Sequence, residues 1–238
     1  MTVSAESWAI RQRRVFDFRR RFIRSVLLRG LGFGLLWKAT ITGVEHVPAS
    51  GPTILMMNHM TAIDPLPIMG LLDRFVVPMS KIENFQHPLW GILTRSWGCY
   101  PVRRGEVDRE ALKITIDLLR AGELVLIAPE GTRSPALIRP KDGLVYVALK
   151  TDPVIVPSAV FNCDGWVRDM FIPWKRTPIH ITFGRPFRLK QAGQRLSREE
   201  MARITDEMMY QLSILLPERN RGVYADLSKM STDSLIFV

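Results

Sequence analysis

Residues 53–65 read "TILMMNHMTAIDP": an apolar run, then Asn58 and His59, then an Asp64-Pro65 pair. Aspartate is a preferred helix cap and proline suits the first helical position. The stretch therefore predicts a buried strand, a polar turn and a helix starting at Asp64. His59 and Asp64 are five residues apart. On one continuous helix they would stand about 140° apart around the axis, so imidazole and carboxylate meet only if the chain turns between them. If they meet, the carboxylate can hold the imidazole in one tautomer, as a general base requires. If they do not, His59 is a turn residue and Asp64 a cap.

The same alternation runs along the chain. "FVVPMS" (75–80), "ELVLIAP" (123–129), "PVIVPSAV" (153–160) and "IHITFG" (179–184) read as short buried strands. Between and after them lie helical candidates at 64–73, 87–97, 108–122, 143–150 and 196–217, the last with Ser197 and Glu200 at capping-box spacing. Strands alternating with helices predict an α/β domain with a mixed, largely parallel sheet flanked by helices, over residues 39–217. In such sheets ligands gather beyond the carboxyl ends of the strands. Residues 218–238 read as a loosely structured tail.

Composition narrows the function. The chain has 238 residues and a formal charge of +10, which predicts a polyanionic partner. Residues 1–38 carry eight arginines and Lys38 against Glu6 and Asp17, a net of +7. Within them Val15, Phe18, Phe22 and Val26 recur at helical spacing, as do Ile23, Leu27 and Leu31. The longest uncharged run, Gly30 to Trp37, is far below the ~20 residues that span a bilayer. A basic amphipathic helix lying in a membrane interface is the expectation, with arginines on lipid headgroups; a packed helix with a solvated basic face is the alternative. Two cysteines, Cys99 and Cys163, make no disulfide framework and point to a reducing compartment. Four scattered histidines show no metal-ligand spacing, so no metal is expected.

Two further polar clusters follow apolar strands. "GCYPVRRG" (98–105) places Arg103 and Arg104 before a glycine and a helix. "APEGTRS" (128–134) sets Glu130, Gly131, Thr132 and Arg133 after a strand. Guanidinium and hydroxyl donors beside a glycine, where backbone can approach a ligand, suit a phosphate. Alone, the first cluster is more often solvated charge than a ligand site, and the second is equally compatible with a turn bearing a surface arginine.

Taken in order, these residues resemble the phospholipid/glycerol acyltransferase family from about residue 40 to 190. "NHMTAIDP" matches its His-x4-Asp block, "GCYPVRRG" its Gly-to-Arg block, "APEGTRS" its Pro-Glu-Gly-Thr-Arg block and "VIVPSAV" its hydrophobic-Val-Pro block; "PKDG" fits a Lys-x-Gly between the last two. Ala128 stands where the family commonly has Phe, and Ser158 replaces a commonly small or hydrophobic residue after Pro157. The resemblance implies the glycerolipid acyltransferase fold, with His59 as general base and Asp64 supporting it. It also implies acceptor binding by Arg104, Glu130, Gly131, Thr132 and Arg133, with Lys141 alongside. The implied reaction is acyl transfer from an acyl thioester (acyl-CoA or acyl carrier protein) to the sn-2 hydroxyl of 1-acyl-sn-glycerol 3-phosphate. It would give phosphatidic acid by direct attack, with no cofactor. The substrate hydroxyl is then the nucleophile, in keeping with the lack of a G-x-S-x-G elbow.

The implied location is the cytoplasmic face of the cell membrane, bound peripherally to an anionic bilayer. Another lysophospholipid, an ornithine-type lipid or glycerol 3-phosphate stays open as acceptor. Charge alone would also permit a nucleic-acid module, but no nucleic-acid motif accompanies it and no nucleic-acid partner is expected.

Overall fold

The computed structural model describes residues 16–105, 108–141, 143–172 and 174–238. The N-terminal segment therefore enters at Phe16; Arg11, Arg13, Arg14 and Val15 lie outside the described residues. A helix, α1 (Asp17–Phe22), continues as a π-wound helix over Ile23–Leu36. Strand β1 (Trp37–Thr42) follows directly, so the expected domain boundary at residue 39 falls inside a strand.

Among the described residues, nine strands form one sheet. In spatial order the main path is β1, β7 (Thr177–Phe183), β6 (Val154–Phe161), β2 (Thr53–Met57), β5 (Leu124–Ile127), β3 (Val76–Lys81), β4 (Tyr100–Val102). β2 is parallel to both β5 and β6, and the β1–β7, β3–β5 and β3–β4 pairs are parallel too. β7 runs antiparallel to β6. β8 (Phe187–Leu189) and β9 (Leu235–Phe237) add an antiparallel flap beside β6. The mixed, mainly parallel sheet expected from the alternation is present.

Every residue of β2 is buried, because helices cover both faces. Successive side chains point to opposite faces. Ile54 and Met56 enter a core with Leu118, Val145, Ile155 and Met208, under α4 (Arg109–Arg120), α5 (Gly143–Thr151) and α7 (Arg198–Ser213). Leu55 and Met57 enter a second core with Leu28, Trp37, Ile68, Trp97 and Val160, under the π helix, α2 (Pro65–Leu71) and α3 (Pro88–Trp97). A short helix α6 (Trp166–Met170) follows β6. Local chemistry sets the helix limits as expected: Asp108 caps α4 through the amides of Glu110 and Ala111, and the Ser197–Glu200 capping box opens α7. α7 stops at Ser213, four residues before Pro217.

Two expectations need correction. The arginines of the N-terminal helix do not all face outward. Arg20 is 2% exposed and donates to the Trp97 carbonyl at the end of α3. Arg24 donates to the carbonyls of Leu72 and Asp73, and Arg29 to those of Gly70 and Leu71 and to the Asp73 carboxylate. Helix ends leave carbonyls without intrahelical partners and favour cations there, and these side chains satisfy the end of α2. Gly70 permits the approach, since a Cβ there would sit 2.8 Å from Leu28 Cβ. Arg19 and Arg21 remain exposed.

The segment 218–238 is not loose either. β9 pairs with β8, and Glu207 on α7 accepts from the amide and hydroxyl of Ser234. Tyr224 and Leu235 are buried in the first core. Gly222, at φ 52°, passes so close to Leu137 that an added Cβ would lie 2.0 Å from its carbonyl oxygen. Gly222→Ala combines this clash with a left-handed backbone, so it should destabilise the fold by about 2 kcal/mol or more. Thermal unfolding of the variant checks it; a Tm equal to that of the parent chain would restore the loose-tail reading.

Candidate active site at the carboxyl ends of β2 and β5

Because β2, β5 and β6 run in parallel, their carboxyl ends open on one edge of the sheet. The chain leaving β2 carries Asn58, His59 and the turn to Asp64. Asn58 extends the ladder with its side chain: its amide nitrogen donates to the Val160 carbonyl at 2.7 Å, and its oxygen accepts from the Val160 amide at 2.8 Å. That clamp fixes where the turn begins. Its sequence signal, a buried asparagine ending an apolar strand, carried no role in the reading above.

The turn then brings His59 and Asp64 together. His59 Nδ1 lies 3.3 Å from Asp64 Oδ2. The same oxygen accepts from the amides of Met60 and Thr61 at 2.6 Å each, and Oδ1 accepts from the Thr61 hydroxyl. Asp64 precedes α2 as expected, yet its side chain does not cap that helix. The reason is local: Pro65 and Pro67 have no N–H, and the Leu66 amide donates to the Ile63 carbonyl. With no helical donor to serve, the carboxylate turns back onto the loop. A carboxylate surrounded by donors can only accept, so His59 Nδ1 carries the proton and Nε2 is left as the basic atom. The Asp64 side chain is 0% exposed and that of His59 10%, so the imidazole stands between the carboxylate and the opening.

The loop leaving β5 holds His59 by its backbone. Glu130, buried, accepts from the His59 amide at 3.3 Å, and the Ser134 amide donates to the His59 carbonyl at 2.9 Å. Burial pushes the Glu130 carboxyl up from 4.5 to about 7; the amides of His59 and Ile138 hold it down, while Asp64 adds to the rise. Gly131 has φ 66°, and the Lys141 side chain passes 3.5 Å from where its Cβ would be. The Lys141 amide also donates to the Pro129 carbonyl, closing the loop on itself.

Beyond the turn, Thr132, Arg133 and Lys141 are exposed. Arg104, at the end of β4, is exposed as well, and it sits close enough to Arg133 to feel its charge. Partial burial and then Arg133 lower its pKa, with Glu83 acting in the opposite sense. Two guanidinium groups held in each other's field favour an anion between them. The structure thus gathers His59, Asp64, Glu130, Gly131, Arg133, Lys141 and Arg104 at one sheet edge. Thr132 shares the loop, and Arg103 bonds through its amide to Asp108, the α4 cap.

The C-terminal segment, missing from the sequence-derived site, supports the same loop. Asn220 donates to the Pro135 carbonyl at 2.7 Å and to the Met60 sulfur at 3.4 Å, and its own carbonyl accepts from the Leu137 amide. No periodicity or motif marks Asn220; its partners are distant in sequence.

With this geometry in place, comparisons with known proteins bear on it. Residues 38–161 match the family model for acyltransferases. A 1-acyl-sn-glycerol-3-phosphate acyltransferase of Bacillus subtilis is 26% identical over 165 residues, 69% of this chain and 81% of that protein. A chloroplastic 1-acyl-sn-glycerol-3-phosphate acyltransferase of Arabidopsis thaliana is 32% identical over 158 residues, 62% of this chain and 44% of that protein. The crystal structure of the 1-acyl-sn-glycerophosphate acyltransferase PlsC from Thermotoga maritima superposes with a TM-score of 0.56 at 21% identity, covering 84% of this chain and 83% of that one. That likeness shows a shared fold. The family model spans more than half of the chain and contains His59, Asp64, Arg104 and the Glu130–Arg133 loop: the protein belongs to the acyltransferase family.

Proposed function

We propose that the chain transfers a fatty acyl group from a thioester, acyl-CoA or acyl carrier protein, to the sn-2 hydroxyl of 1-acyl-sn-glycerol 3-phosphate. The observation that carries this reading is the His59–Asp64 pair, 3.3 Å apart, with its imidazole at the site opening. His59 Nε2 takes the hydroxyl proton as the oxygen attacks the thioester carbon. The C–O bond forms, the C–S bond breaks, and the departing thiolate recovers the proton from the imidazolium. Asp64 orients the ring and stabilises its cationic form during this exchange. No acyl-enzyme is needed.

Arg104 and Arg133 are assigned to the acceptor's phosphate, a dianion that relieves their mutual repulsion. The Bacillus and Arabidopsis relatives are named for the same acceptor. Exposed Phe18, Phe22 and Leu35, with Arg19 and Arg21, support peripheral binding of the N-terminal helix to an anionic bilayer. Among the described residues no helix is long and apolar enough to cross a membrane.

Three outcomes test this reading. With lysophosphatidate and a long-chain acyl-CoA, His59→Ala should lower kcat by at least ~10²-fold; turnover like that of the parent chain would sink the mechanism. Arg104→Ala and Arg133→Ala should raise KM for lysophosphatidate while leaving KM for a phosphate-free lysolipid unchanged. Glu130 gives a stability test. Its folded pKa lies above the unfolded one, so its linked stability is complete below pH 4.5 and is lost as pH rises through about 7. Glu130→Gln, which cannot ionise, should therefore gain stability relative to the parent chain between pH 5 and pH 8, read as Tm against pH. A Tm difference that does not vary with pH would refute the buried-carboxyl account.

A further inference from the structure

Residues 162–176 link β6 to β7 and, among the described residues from β1 onward, carry the most exposed aromatic groups. Trp174 is 100% exposed, Phe171 76% and Ile172 41%. The turn that presents them is built. Asp169 is 2% exposed and pairs with Arg168 Nε at 3.1 Å and Lys175 Nζ at 3.0 Å. The Ile172 amide donates to the Asp169 carbonyl and the Lys175 amide to that of Ile172. Asp169 thus holds two basic residues beside the apolar tip, where their outer faces stay solvated. Apolar tip and basic rim together are the chemistry of an interfacial anchor on anionic lipid.

Topology places this turn. β7 is antiparallel to β6, so the turn between them lies at the carboxyl end of β6. Asn58 locks that same end, at Val160, to the start of the His59 turn. β1 is parallel to β7, with Trp37 opposite Thr177, so the N-terminal helix also ends at this edge. Arg176 fastens the two together by donating to the carbonyls of Phe33 and Trp37. On the helix, exposed Phe18, Phe22, Leu27, Leu31 and Leu35 recur every four to five residues, the period of a helix wound between i→i+4 and i→i+5. An apolar stripe therefore runs to the point where the aromatic turn is attached.

We propose that Phe171, Ile172 and Trp174 form a second membrane-inserting point, which with the amphipathic helix docks the active-site edge of the sheet on an anionic phospholipid surface. Anchored by the helix alone, the whole molecule could roll on the bilayer about the helix axis; two points hold the mouth of the site toward the lipid from which an acceptor must come. The inference rests on the lipid-acylating reading for its purpose, though its test does not need catalysis.

The full chain is mixed with vesicles of phosphatidylcholine alone and with phosphatidylglycerol added. The double variant Phe171→Ser/Trp174→Ser should partition about tenfold or more weakly to the anionic vesicles than the parent chain. A milder arm keeps the fold: with acyl chains brominated, the parent chain should show a quenched tryptophan component that Trp174→Phe lacks. Equal partition of the double variant, or no quenching assignable to Trp174, overturns the proposal. So does loss of acyl-carrier-protein binding with vesicle partition unchanged, which would assign the turn to a protein partner. Quenching retained by a chain that shows no acyl transfer would remove the catalytic reading and leave this one standing.

Discussion

The carboxylate of Asp64 has no solvent contact and takes two backbone amides, a hydroxyl and an imidazole as donors. Everything at the site depends on that concentration of donors around one buried acceptor. A buried charge is costly unless it is hydrogen-bonded, so the turn cannot relax without exposing a penalty, and the turn is what aims His59. The prolines of "DPLP" contribute by removing the competing donors: a helix that began with free amides would have claimed the carboxylate for itself. A familiar capping pattern is thereby turned from helix initiation to orientation of the His59 ring.

The other end of the same helix is fastened as firmly. Arg24 and Arg29 occupy the carbonyls that α2 leaves unpaired, and Leu28 packs onto Gly70. The N-terminal helix therefore presents an exposed apolar stripe on one side and clamps the element that starts at Asp64 on the other. On the opposite side, Glu130 and Ser134 hold the His59 backbone, and Asn220 holds the loop that carries them. Support from three separate stretches of chain suits the general-base role proposed for His59, since small displacements of reacting groups are expensive in rate.

Local chemistry was legible in the sequence and long-range partnership was not. The strand–turn–helix reading of 53–65, the α4 and α7 caps and the mixed sheet follow from short patterns, because their energetics are settled within a few residues. The His59–Asp64 contact could be posed as a question from spacing alone, and the turn answered it. By contrast, the destination of Arg20, Arg24 and Arg29 depends on carbonyls more than forty residues away, and charge counting put them on lipid. The short strands β4, β8 and β9 are three residues each and carry too few positions for a period-two signal. The segment after Pro217 looked loose because its buried anchors, Tyr224 and Leu235, are isolated apolar residues among polar ones. Only the folded partners give such residues meaning.

The central claim is that Asp64 fixes His59 as the Nδ1-protonated tautomer with Nε2 free to accept a proton. Nitrogen-15 NMR of the histidine rings, with His59 assigned by comparison with His59→Gln, reads this directly. With the ring neutral, the account predicts a protonated Nδ1 and an unprotonated Nε2 for His59, a preference lost in Asp64→Ala. A His59 ring that carries its proton on Nε2, or one whose tautomer ignores the removal of Asp64, would contradict it.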